Sequence, residues 1–338
     1  MPLSILHISD LHVAGELFSP ERGLPRRHDP DLFTALDGYW KAEPADYVVA
    51  TGDISTDGQV QSLETARQFL TGAVPRPGAS AAIGLGLADP ARLFLVPGNH
   101  DRYAGRYLPI SNQITNFESV FGDRFGNRGR PRAAGWLTSK DLRLRVLAID
   151  SMGAAGWASV AKGKVHDDDL DWLQTVYDDD TRREEPCDLR LLLLHHHVAI
   201  PDSHRFNRWT KLKNVADALE SMLRADIDLV MFGHEHYHYV GERTYSDLIG
   251  DRRIRRRLAK THQLEKRLIT CMCGTTTCDD GGRNLAWRVV IDRGGDRYHL
   301  RFVLLEADRA AGTLKPVVGA SEDIVLYRRP ARRTRTAV

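Results

Sequence analysis

Positive and negative charge nearly cancel in this 338-residue chain: 47 Lys and Arg stand against 45 Asp and Glu, a formal net charge of +2. A balance that even excludes a protein that gathers nucleic acid by bulk electrostatics. Cysteine is scarce. The four are Cys187, Cys271, Cys273 and Cys278, three of them in or beside the apolar run LITCMCGTTTC, at spacings that match no common zinc framework. They read as small core residues in a reducing compartment. No stretch supplies the roughly 18 uncharged apolar residues of a membrane span, and MPLSILHISDLH opens with neither a basic nor an apolar leader. The expected location is cytoplasmic. The sequence also lacks internal repeats and any composition shift that would mark a boundary between two domains.

What is present is a series of short apolar runs bounded by polar turns: LSILHI (3–8), DYVVAT (46–51), RLFLVP (92–97), LRVLAI (144–149), LRLLLL (189–194) and IDLVMF (227–232). They are uniformly apolar rather than alternating, the pattern of strands covered on both faces. Helical patterns lie between several of them, at 60–70, 167–177 and 210–225. Strand–helix alternation predicts an α/β fold with helices on both faces of a central sheet. LITCMC, LAWRVVID and YHLRFVLLE follow one another without helices, so the sheet is expected to finish with antiparallel strands. Residues 72–91, rich in Gly, Ala and Pro, read as a surface excursion. The tail 328–338, RRPARRTRTAV, is basic and expected to be disordered, which leaves 1–327 as one domain.

The chemistry sits where the apolar runs end. LSILHI runs into Ser9-Asp10-Leu11-His12, DYVVAT into Gly52-Asp53, and RLFLVP into Gly98-Asn99-His100-Asp101. LRLLLL runs into His195-His196-His197, and IDLVMF into Gly233-His234-Glu235-His236. In an open α/β sheet, ligands bind at the carboxyl ends of the strands, so clusters scattered over the chain would meet in space. A lone Asp or His after a strand is most often a turn residue or a helix cap. Five polar clusters, two with paired imidazoles, are not explained that way. Carboxylate, carboxamide and imidazole donors without thiolate suit Mn, Fe or Zn.

The order D-x-H, G-D, G-N-H-[D/E], H, G-H-x-H resembles the calcineurin-like metallophosphoesterases, with every element present between residues 5 and 236. The phrases ILHISDLH, VVATGDISTDG and VPGNHD look most like the cyclic-nucleotide phosphodiesterase-like branch. The resemblance implies a four-layer sandwich, with central mixed β-sheets flanked by helices and a dinuclear site at the strand C-terminal ends. It implies two divalent or trivalent transition-metal ions, one held by Asp10, His12, Asp53 and His236. The other would be held by Asp53, Asn99, His195 and His234, with Asp53 bridging. A water shared by the metals would lose a proton near neutral pH and attack phosphorus in line with the leaving oxygen. His100 would stabilise the phosphate or protonate the leaving group, with Asp101 orienting it. The triple histidine leaves the register open between His195 and His197, because related sequences usually have two histidines followed by proline. Asp150-Ser151 reads either as support for the site or as a plain turn.

The first expectation for the substrate is a small soluble phosphodiester. The alternative rests on residues 243–268, a helix-like basic segment carrying Arg252, Arg253, Arg255, Arg256, Arg257, Lys260, Lys266 and Arg267. Such an insertion could lie on an anionic membrane and present a lipid-linked phosphate or pyrophosphate, or it could simply be a solvated helix over a sheet edge. A nuclease ranks lower for want of a binding domain. A non-catalytic scaffold ranks lower still, because no ligand position has been lost.

Overall fold

The computed structural model describes residues 1–23, 26–102, 115–124, 132–152, 162–199, 212–250, 252–260 and 264–327. Twelve of the fourteen strands among the described residues fall into two six-stranded sheets. From edge to edge the first runs β14 (Thr313–Tyr327), β13 (Arg297–Asp308), β12 (Leu285–Gly294), β1 (Leu3–Ile8), β4 (Tyr47–Ala50), β5 (Leu93–Leu95). The second runs β10 (Tyr239–Thr244), β11 (Arg267–Met272), β9 (Leu229–Phe232), β8 (Leu189–Leu193), β7 (Arg143–Ala148), β6 (Ala133–Thr138). A small hairpin joins β2 (Gly15–Glu16) to β3 (Ser19–Pro20). Within the sheets β1, β4 and β5 are parallel neighbours, as are β7, β8 and β9, while β12, β13 and β14 are antiparallel.

The uniform apolarity of the runs follows from this layering. Leu3 and Ile5 of β1 pack between the sheets, while Leu6 and Ile8 face an outer layer of helices. In β9, Leu229 and Met231 point into the space between the sheets, and Val230 and Phe232 point to the opposite helical layer. Both strands are therefore buried on both faces, with successive side chains alternating between the two layers. The helices α1 (Pro30–Ala42), α2 (Val60–Thr71) and α4 (Asn116–Phe121) cover the first sheet. The second is covered by α5 (Asp167–Arg182), α6 (Val215–Arg224), α7 (Tyr245–Leu248) and α8 (Arg252–Leu258). The single turn α3 (Asn99–Arg102) belongs to the site below. Helix starts are set locally. Pro30 follows the cap Asp29, whose side chain accepts from the Asp31 N–H, and Asp167, Asp168 and Asp169 fill the first turn of α5, where the helix dipole favours negative charge.

The fold is thus the four-layer α/β sandwich, with two sheets where strand–helix alternation alone suggests one. The terminal strands divide: β12 and β13 finish the first sheet antiparallel, whereas LITCM becomes β11, parallel to β9 in the second. Cys271, Cys273 and Cys278 are buried and free. The segment 243–268 is not one helix. It comprises the end of β10, the short helices α7 and α8, and the start of β11. Its apolar positions are spent on the protein itself, since Ile249, Leu258 and Leu268 are buried and Ile254 packs against the same core. Arg257 pairs with Glu220 of α6, and Lys266 pairs with Asp226 and Asp228. The tail 328–338 lies outside the described residues. Among the described residues no helix is long and apolar enough to cross a membrane.

Phe302 is fully buried between the sheets on β13, far along the chain from the strand-end clusters. Phe302→Ala should lower unfolding stability by about 3–5 kcal/mol in urea titrations. A cost below about 1 kcal/mol would contradict the packing described here.

Candidate metal centre

The clusters sit where the two sheets meet at one end. Asp10 and His12 follow β1, Asp53 follows β4 and Asn99 follows β5, while His195 follows β8 and His234 and His236 follow β9. Main-chain bonds prolong the sheets into these turns: Asp10 N–H donates to Gly52 O at 3.0 Å, His12 N–H to Asp53 O at 3.0 Å, and Gly233 N–H to His195 O at 3.1 Å. His195 Nδ1–H donates across to Thr51 O of the first sheet at 2.7 Å.

Backbone strain is concentrated here. Seven non-glycine residues among those described have positive φ, and five of them are Asp10 (52°), His12 (52°), Asp53 (48°), His234 (81°) and His236 (49°). The left-handed region costs an L-residue of order 1 kcal/mol and persists only where surroundings over-determine it. The glycines of the motifs make the room. A Cβ on Gly98 would stand 2.2 Å from Asp53 Oδ1, and one on Gly233 would stand 1.9 Å from Ser9 Oγ and 2.5 Å from Asp10 Oδ2.

Each carboxylate is anchored by one oxygen and bare at the other. Asp10 Oδ2 accepts from Ser9 Oγ at 2.5 Å and from the His234 N–H at 3.1 Å, while its buried Oδ1 has no hydrogen-bond donor among the described residues. Asp53 Oδ1 accepts from the His100 N–H at 2.8 Å, and its buried Oδ2 likewise has no donor. That Oδ2 stands 3.4 Å from His195 Nε2 and 3.9 Å from His12 Nε2, so it faces two groups of imidazoles at once. In one group His12 Nε2 and His236 Nε2 are 3.2 Å apart, with His236 Nε2 3.3 Å from Asp10 Oδ1. In the other, His195 Nε2 lies 3.1 Å from both Asn99 Oδ1 and His234 Nδ1. Asp10, His12 and His236 form one set able to hold a cation, and Asp53, His195 and His234 form another. Bare buried acceptors and imidazole nitrogens turned toward one another are what cations, and not a polar turn, would satisfy. The donor set fits transition metals.

Of the three consecutive histidines, one reaches the cluster. His195 enters the cluster. His196 Nδ1 pairs with Ser151 Oγ at 2.8 Å, and His197 Nδ1 lies 3.9 Å from Glu235. Asp150 forms a buried ion pair with Arg102 at 2.7 Å, so the 150–151 turn does brace the neighbourhood of the cluster. His100 stands at the edge, its ring 4.8 Å from that of His12, and its Nδ1–H donates to Thr56 O at 2.8 Å. This departs from the expectation for Asp101. Its carboxylate does not orient His100; it accepts from Ile54 N–H (3.0 Å), Ser55 N–H (2.7 Å), Ser55 Oγ (2.9 Å) and Gly98 N–H (2.9 Å). Asp101 therefore clamps the Asp53 turn to the Asn99 turn, and the orienting partner of His100 is a backbone carbonyl. Sequence reasoning also missed Asp280, whose Oδ2 accepts from His236 Nδ1 at 2.5 Å. Forty-four positions separate the pair, and the DDGG turn around Asp280 carries no sign of it.

Electrostatics favour cation binding while making it pH-dependent. Burial pulls His195 down, but the Asp53 carboxylate outweighs it and pushes its pKa to about 9. Burial likewise opposes charge on His236, yet the Asp10 and Asp280 carboxylates beside it lift it to about 9. For Asp53, burial acts upward and the imidazoles of His195 and His100 overcome it, holding the carboxyl well below the usual carboxylate range.

Residues 3–238 match the family described as calcineurin-like phosphoesterase. A probable cyclic nucleotide phosphodiesterase of Synechococcus sp. is 26% identical over 253 residues, covering 74% of this chain and 80% of that protein. Among solved structures, GAP50, the anchor in the inner membrane complex of Plasmodium, superposes with a TM-score of 0.53 at 10% identity, covering 98% of this chain and 90% of that one. That likeness concerns the fold alone.

Two outcomes follow from the geometry. Both His195 and His236 carry protons up to about pH 9 that a metal must displace, so metal affinity should climb as pH rises from 6 toward 9, with protons released on binding. Calorimetry in buffers of differing ionisation enthalpy reads this directly, and pH-independent affinity would contradict it. Asp280→Asn should weaken metal binding about ten- to a hundredfold, because His236 loses the carboxylate that fixes its ring and raises its basicity. Unchanged affinity would remove Asp280 from the centre.

Proposed function

This chain belongs to the calcineurin-like phosphoesterase family, and we propose that it is a two-metal hydrolase of a small soluble phosphodiester. As a family member it is a metal-binding hydrolase of phosphoric esters. The observation that carries the finer reading is Asp53, with one oxygen tied to the His100 N–H and the other bare between two imidazole groups. One cation would be held by Asp10, His12, Asp53 and His236, the other by Asp53, Asn99, His195 and His234. Bound there, the pair would supply an acidified water as nucleophile and neutralise charge on the phosphate. Mn, Fe and Zn all suit the donors.

The rest falls to the chain's own side chains. With two cations bound, the two carboxylates Asp10 and Asp53 would leave the cleft net positive and attractive to an anionic ester. His100, fixed through Nδ1 by the Thr56 carbonyl, keeps Nε2 for the substrate, where it can donate to a phosphoryl oxygen or give a proton to the leaving alkoxide. Asp101 holds His100 in place only indirectly, by locking the turn on which it sits. The relative from Synechococcus, named as a probable cyclic nucleotide phosphodiesterase, supports a diester and makes cyclic nucleotides the first candidates. The lipid-phosphate reading gains no support from the geometry. β10 leaves the site at Tyr239 and its six residues carry the chain roughly 20 Å away before the basic helices begin.

Hydrolysis assays with added Mn, Fe or Zn across cyclic nucleotides, glycerophosphodiesters, nucleotide sugars and lipid pyrophosphates should show the soluble diesters turned over best. Preference for the lipid substrates would overturn the assignment. Asp53→Ala should retain almost none of the bound metal. His100→Ala should keep its metal yet hydrolyse bis(p-nitrophenyl) phosphate about a hundredfold more slowly or worse. An unchanged rate would take His100 out of the mechanism.

A further inference from the structure

Arg26 is a cation in a place where a cation is hard to explain by folding alone. Its Nη1 lies 3.4 Å from His236 Nε2, the nitrogen that faces the first ligand group. Its charge reaches His12, His236 and Asp280. Among the described residues no carboxylate lies within ion-pair distance of its guanidinium, although the chain is otherwise rich in Arg–carboxylate pairs. The backbone here is fixed with care. The Thr56 hydroxyl lies between two carbonyls, 2.9 Å from Arg26 O and 2.8 Å from His12 O, which share its one proton, and the Asp279 N–H donates to Arg27 O at 2.7 Å. The same Thr56 presents the carbonyl that orients His100. One residue thus sets the positions of two groups at the mouth of the site.

A guanidinium beside a cluster built for two cations meets like charge, which opposes metal binding unless an anion stands between. Its planar fork suits two oxygens of a phosphate. We infer that Arg26 is a substrate-binding residue that takes a non-bridging phosphoryl oxygen at the His12–His236 side of the site, opposite no carboxylate of its own. This rests on the two-metal reading above. The anion could equally be the product phosphate or the ester, since both offer the same oxygens.

The experiment compares wild type, Arg26→Ala and Arg26→Lys, each loaded with Mn, by three readouts. Metal affinity is measured by calorimetry, inorganic phosphate affinity by calorimetry on the loaded protein, and KM and kcat with bis(p-nitrophenyl) phosphate. Arg26→Ala is expected to bind metal as tightly as wild type or more tightly, because a repelling charge is gone. Its phosphate affinity should fall about tenfold or more, with KM rising in step and kcat changing less. Arg26→Lys should recover part of the phosphate affinity, since it restores charge without the fork. A merely structural arginine would instead lose metal affinity on truncation, and that result overturns the inference. So does an Arg26→Ala protein with wild-type phosphate affinity and KM. A wild-type protein that takes up metal but hydrolyses no ester sinks the functional reading itself, a failure distinct from that of Arg26.

Discussion

Asp53 is the point on which the centre depends. Its backbone sits at φ 48°, its Oδ1 is held by the His100 N–H, and its Oδ2 is buried without a donor between imidazoles from both sheets. A bare carboxylate oxygen in such a place costs free energy on the order of a few kcal/mol until a cation meets it. The first sheet supplies Asp10, His12, Asp53 and Asn99, and the second supplies His195, His234 and His236. Joining the two sets requires the sheets to pack face to face, so the core between them and the chemistry at its end are one design.

The strain at five of these residues has the same logic. Left-handed turns swing the side chains of Asp10, His12, Asp53, His234 and His236 back across the strand ends, where straight continuation would aim them elsewhere. Rigid neighbours hold the turns. Asp101 gathers four donors from the loops after β4 and β5, and burial together with the nearby Asp53 charge raises its own carboxyl to about 7. The residue that looked like half of a catalytic pair is instead the pin that keeps Asp53 and Asn99 in register.

Much of this was legible in the sequence, for physical reasons that also mark the limits. Strands buried on both faces betray themselves as unbroken apolar runs, so β1, β4, β5, β7, β8 and β9 could be read directly. β10 and β14, part-exposed at sheet edges, could not: β14 mixes Lys315, Glu322 and Asp323 with its apolar residues. Division into two sheets rather than one is a matter of pairing, which periodicity does not report. The candidate ligands were visible because glycine and histidine crowd the ends of those runs. Asp280 and Arg26 were not, because each reaches the site from a turn whose neighbours look like ordinary surface. The segment 243–268 misled in the opposite way. Its many arginines suggested a free amphipathic helix, but Ile249, Leu258 and Leu268 are the anchors that dock it onto the second sheet.

In the proposed centre, Asp53 would be held in common by two ions. Electron paramagnetic resonance of the protein loaded with Mn(II) tests it most directly, because ions about 3.5–4 Å apart couple through a common bridge. Two Mn per chain and the multiline spectrum of an exchange-coupled pair are expected. A simple six-line signal from isolated ions, at either one or two Mn per chain, would contradict it.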